Sequence, residues 1–112
     1  MGLLLIRLGR ADEGLVHCRA AVRLAPRHAG FRNNLGVAFL GVGRPRQAQK
    51  QFREALRLEP TSGEAHGNIA IQLFYAGRYR EAWQEALLSR KYGVEPHPGF
   101  IAALTQRMQK PR

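Results

Sequence analysis

Apolar residues recur at helical spacing along most of the chain. Leu35, Ala38, Phe39 and Val42 form one run, and Ala48, Phe52, Ala55 and Leu56 form a second. Steps of three and four gather side chains on one face of an α-helix. Gly43-Arg44-Pro45 punctuates the two runs, and proline is tolerated in the first turn of a helix, where its missing N–H costs no hydrogen bond. Pro60 ends the second helix, and Thr61 with Glu64 makes a capping-box pattern for the next one, hydroxyl and carboxylate each satisfying an otherwise orphaned backbone N–H. The unit is therefore a pair of helices. Past Gly93 this register is lost, and residues 97–109 predict one further amphipathic helix. Phe100, Ile101, Leu104 and Met108 lie on one face, with Thr105, Gln106, Arg107, Gln109 and Lys110 on the other.

A shift of 34 residues superposes the chain on itself, and a fixed period of this length marks a repeat architecture. Gly9, Gly43 and Gly77 align, each followed by an arginine: Arg10, Arg44 and Arg78. Pro26 falls on Pro60, and Asn34 on Asn68. Gly14, Ala48 and Ala82 form a small-residue column, as do Ala21, Ala55 and Ser89, while Leu5, Phe39 and Leu73 form a large one.

These columns resemble the tetratricopeptide repeat family over residues 1–92. The family's order of large, small, aromatic, alanine, aromatic, alanine and proline is met by Leu35-Gly36, Phe39, Ala48, Phe52, Ala55 and Pro60. The third copy supplies Ile69-Ala70, Leu73, Gly77, Ala82, Ala86 and Ser89, with Val94 in the proline column. Arg32 and His66 stand where an aromatic often opens the repeat. The resemblance implies an all-α, α-α superhelix of about three helix-turn-helix repeats: 1–28, truncated in its first helix, then 29–62 and 63–94. Residues 95–112 would form a C-terminal capping helix and tail, since a repeat stack needs a terminal element with a polar outer face. Leu3, Leu4, Leu5, Ile6 and Leu8 crowd the opposite end, which predicts packing on a second copy through the N-terminal helix, or continuation into a longer array.

The chain has 112 residues, 45% of them hydrophobic, with 18 Lys and Arg against 8 Asp and Glu. That composition is globular rather than disordered. Leu3 to Ile6 lacks the basic lead and cleavage region of a signal sequence, and the longest later apolar stretch, 35–43, has nine residues against the ~20 needed to span a bilayer. A soluble, cytoplasmic protein is expected. The single Cys18 excludes an intrachain disulfide framework. Catalytic arrangements fail at the inventory: Ser62 and Ser89 are the only serines and Asp12 the only aspartate, and neither a metal-binding His-Glu-x-x-His nor a phosphate loop is present. The expectation is no enzyme, no cofactor and no metal.

The family binds extended or helical peptides in a concave groove lined by the first helices of successive repeats. Carried onto this chain, that implies a groove of Asn33, Asn34, Val37, Leu40 and Gly41 with Gly67, Asn68, Ile71, Phe74 and Tyr75, extended by Leu3 and Ile6. Each asparagine amide offers a donor and an acceptor, so it can pair with a peptide backbone without reading its sequence. The predicted partner is a protein or peptide segment. Arg10, Arg44 and Arg78, with Arg46 and Arg80, recur at the expected inter-helix turns as a basic ridge; 15 of the 18 cations are Arg, whose planar fork suits carboxylate and phosphate. An acidic partner follows, with two alternatives: a basic nucleic-acid-binding surface, or a recognition module of a larger assembly such as a glycosyltransferase or a secretion or pilus machinery.

Overall fold

The structure, a computed structural model, describes the backbone of residues 2–109 and the side chains of residues 10–109. Six helices follow one another: α1 (Gly2–Leu24), α2 (Ala29–Gly41), α3 (Pro45–Leu58), α4 (Gly63–Tyr75), α5 (Tyr79–Lys91) and α6 (Pro98–Gln109). No strand occurs among the described residues. The chain divides after Pro60 into two compact units.

In the first unit α2 packs against both α1 and α3. Leu15 and Val22 of α1 meet a core built from Ala29, Leu35, Phe39, Ala48, Phe52 and Ala55. The seam between α2 and α3 is narrow because Gly36 faces the Phe52 ring: a Cβ at position 36 would stand 2.8 Å from Phe52 Cζ. Phe52 is fully buried, so this glycine is what admits it.

In the second unit α5 packs against both α4 and α6. Its core is made of small residues, Ala65, Ala70, Ala82, Ala86 and Ser89, closed by Leu104 of α6. The Gly36–Phe52 pairing of large and small is replaced at the equivalent positions by Ala70 and Ala86. Phe74 gathers the aromatics, its ring 5.4 Å from Tyr75, 5.6 Å from Tyr79 and 5.5 Å from Phe100, each edge-on. Of the face predicted for α6, Phe100, Ile101 and Leu104 turn inward, whereas Met108 is exposed; Lys110 lies outside the described residues.

The 34-residue period survives as geometry within the two hairpins. α2 and α4 have corresponding ends, and the turns after them close alike. Arg44 N donates to Phe39 O at 2.8 Å and Gly43 N to Leu40 O at 3.1 Å; Arg78 N and Gly77 N repeat the pattern at 2.9 and 3.0 Å. These bonds satisfy carbonyls that the helix end would orphan, and they require a left-handed residue. Gly43 and Gly77 supply it, at φ 77° and 79°. Pro45 sits in the first turn of α3, as expected.

Two expectations are corrected. Gly9-Arg10 does not form a turn: α1 runs unbroken for 23 residues, so the first copy is one helix rather than a hairpin, and Arg10 lies within it. A glycine inside a continuous helix costs about 1 kcal/mol, too little by itself to break α1. The cap of α4 is Ser62 and not Thr61. Ser62 Oγ accepts from Ala65 N at 3.2 Å, just as His28 Nδ1 accepts from Phe31 N at 3.1 Å before α2. The capping column is therefore 28 and 62, and Gly63 at the first helical position packs against Val94 Cγ2 and the Ser89 and Tyr92 carbonyls.

Candidate functional site

The first helix of each hairpin buries one side and shows the other. On α2, Ala29, Asn33 and Gly36 follow at steps of four and three on the buried side, with Leu35 and Phe39 beside them. Asn34, one step round, is exposed with Val37 and Gly41, while Leu40 is half-buried. Asn33, expected on the groove, is 4% exposed and already partnered. This corrects its assignment: adjacent helical residues diverge by about 100°, so only one asparagine of the pair can face out.

On α4 the equivalents of Asn34 and Val37 are Asn68 and Ile71. Asn68 is half-buried and has an interaction of its own. Ile71 is 40% and Val37 48% exposed, and Tyr75, one turn beyond Ile71, is 82% exposed. Phe74 is held in the aromatic cluster, which makes it a support for Tyr75 rather than a free contact. Each first helix thus carries an amide followed three residues later by an uncovered aliphatic side chain. Asn34 makes no hydrogen bond among the described residues, so its donor and acceptor are both available. Leu3, Ile6 and the predicted oligomer contact lie outside the described side chains.

The arginines of the predicted ridge divide by context. Arg44 and Arg78 are the N-cap residues of α3 and α5, with Arg46 and Arg80 in the first turns, all exposed. Arg78 is paired with Glu81 at 2.8 Å, whereas Arg44, Arg46 and Arg80 have no acidic partner among the described residues. Arg78, Tyr79, Arg80, Glu81 and Met108 line a shallow depression of about 340 Å³ in the second unit. A larger open one, about 740 Å³, is lined by Arg90, Glu95, Pro96, His97, Pro98, Ile101 and Ala102.

One feature of both hairpins escaped sequence reading. Arg32 Nη1 donates to Gln51 Oε1 at 3.2 Å, and His66 Nδ1 lies 2.6 Å from Glu85 Oε2. The two pairs occupy equivalent positions, so the residues replacing the expected opening aromatic form a polar tie across each hairpin. Arg32 also donates to Pro26 O at 3.0 Å, and the His66 ring lies 5.6 Å from that of Tyr92. The sequence signal for these ties is only that 32, 51, 66 and 85 are all polar. Ser89, expected in a packing column, is buried and also bonds: its hydroxyl proton is shared between Gly63 O and Val94 O, each 2.9 Å away. Cys18 is half-buried and free.

Among the described residues, no three His, Cys, Asp or Glu side chains are placed to hold a metal ion, and no helix is long and apolar enough to cross a membrane. Compared with models of known protein families and with curated protein sequences, the chain matches none.

Proposed function

We propose that this chain is a non-enzymatic adaptor of tetratricopeptide-repeat type, holding a peptide segment of a partner protein on the exposed faces of α2 and α4. The observation that carries the reading is the repeated placement of Asn34 with Val37 and of Asn68 with Ile71, the two aliphatic members uncovered. In the family's superhelical arrangement such faces line a common groove, and the proposal extends that arrangement to this chain. The chemistry suits an extended backbone. An amide grips it with a donor and an acceptor, and an aliphatic side chain loses exposed apolar area on contact, at about 25 cal/mol per Å². The unpaired cations Arg44, Arg46 and Arg80 would steer acidic partners, raising association rates more than affinity.

The test is capture from a cell lysate by the wild-type chain, by Asn34→Ala with Asn68→Ala, and by Val37→Ser with Ile71→Ser, each checked for helicity by circular dichroism. A discrete protein retained by the wild type and lost about tenfold or more from both variants is the expected result. Equal retention by all three would refute the assignment of this face.

A further inference from the structure

The outward side of α3 carries Arg46, Lys50, Arg53 and Arg57 at steps of four, three and four. Helical geometry places them within an arc of about 60° and over a length of about 16 Å, and all four are exposed. Only Arg57 has an acidic partner among the described residues, Glu54, with Nε to Oε1 at 3.0 Å. Like charges at these spacings repel along a helix. The first turn of α3 adds to the conflict, since it has no acidic residue and sets Arg44 and Arg46 at the positive end of the helix dipole.

The hairpin does not demand this stripe. At the equivalent positions α5 has Arg80, Gln84, Leu87 and Lys91, with Glu81 and Glu85 where α3 has Gln47 and Gln51. The same fold is thus built with mixed charge in one helix and with a row of cations in the other.

We infer that the outward face of α3 is a docking surface for the phosphodiester backbone of a double-stranded nucleic acid, bound without reading its bases. Four cations over about 16 Å meet a strand bearing one phosphate per about 3.4 Å, enough for each cation to find a phosphate. Three of the four are arginine, whose fork engages phosphate oxygens in pairs. The exposed large hydrophobic residues all lie outside α3. A protein partner would therefore find no apolar anchor for a hot spot, and a bilayer nothing to insert, since Ala48, Phe52 and Ala55 are buried. A phosphate backbone needs neither. Single strands are bound chiefly by stacking on aromatic platforms, and no aromatic side chain is exposed on this helix, which favours the duplex. The stripe shares Arg46 with the steering cations named above but none of the Asn34, Val37, Asn68 and Ile71 contacts, so either assignment can fail alone.

The experiment is fluorescence anisotropy of a labelled duplex of about 20 base pairs titrated with the full chain over a range of salt, the length leaving room for the stripe on one strand. Binding near 10⁻⁵ M at physiological salt is expected, with log K falling against log salt at a slope of about −3 to −4 for four phosphate contacts. Arg46→Gln with Lys50→Gln and Arg53→Gln should weaken binding at low salt by about tenfold per charge removed. The charge-matched variant Arg27→Gln with Lys91→Gln and Arg107→Gln should change it by about threefold or less, through long-range screening alone. The inference is overturned by any of four results: no binding up to about 10⁻⁴ M, a wild-type slope shallower than about −2, equal weakening by the two variants, or tighter binding of phosphatidylserine vesicles or polyglutamate at matched salt. A wild-type slope shallower than about −2 overturns the inference whether or not the variants fold.

Discussion

Two glycines inside helices respond oppositely to the same substitution. Gly14→Ala in α1 and Gly36→Ala in α2 each gain the helix propensity of alanine, about 1 kcal/mol. A Cβ at Gly14 meets no atom within 4 Å, whereas one at Gly36 would stand 2.7 Å from Phe52 Cδ1 and 2.8 Å from Cζ. The ring cannot swing clear into solvent, because Phe52 is 0% exposed. Relief has to come from an off-rotamer phenylalanine or from α2 and α3 moving apart, and overpacking of this kind costs about 1–3 kcal/mol. Gly14→Ala should therefore stabilise by about 1 kcal/mol and Gly36→Ala destabilise by up to about 2 kcal/mol. Propensity cancels in their difference, which isolates the seam at about 1–3 kcal/mol. Urea unfolding followed by far-ultraviolet circular dichroism measures both. Adding Phe52→Leu should make Gly36→Ala less costly, with a coupling of about 1 kcal/mol or more for residues in direct contact. Equal stabilisation by the two alanines would refute the close approach of α2 and α3.

Three further outcomes follow from the geometry. Ser89→Ala removes the hydroxyl between Gly63 O and Val94 O and should cost about 1 kcal/mol in urea unfolding, with faster hydrogen exchange at the start of α4. Gly77→Ala forces a side chain into the left-handed turn at φ 79° and should destabilise by about 1–2 kcal/mol, while Gly77→Asn, which tolerates that region better, should cost less. The hydrogen bond from Arg57 holds the Glu54 carboxyl below its ordinary value near 4.5, with the Arg57 and Arg32 charges adding to the effect against partial desolvation. A depressed folded value means that the pair's contribution is present above pH 4.5 and fades as pH falls through the folded value. Arg57→Gln should therefore return the Glu54 titration upward, read by NMR of its side-chain carboxyl, and an unmoved titration would show that the ion pair does not persist in solution.

The two helices of each hairpin and the turns at Gly43 and Gly77 were legible in the sequence because each rests on local chemistry repeated at a fixed offset, and the helix after Pro98 was legible from its own apolar spacing. The first copy was misread for the same reason. Gly9-Arg10 has the same letters as Gly43-Arg44 and Gly77-Arg78, and that pair alone does not tell a glycine that ends a helix from one inside it. The cap of α4 was misplaced by one residue because Thr61 and Ser62 are equally able to accept a backbone hydrogen bond, and the close packing of Gly63 chooses between them.

Sequence by itself determined the periodic elements of the two hairpins: the turns at Gly43 and Gly77, the small-residue columns and the helical apolar spacing, all of them consequences of backbone geometry and side-chain size within a few residues. Tertiary structure alone decided which neighbours share a face with the solvent. The rotation of α2 against α1 and α3 buried Asn33 and exposed Asn34, the return of α6 enclosed Phe74 through Phe100, and the register across each hairpin joined Arg32 to Gln51 and His66 to Glu85. Those outcomes turn on helix rotation and separation, which are set by packing between residues distant in sequence and leave no mark on the local pattern.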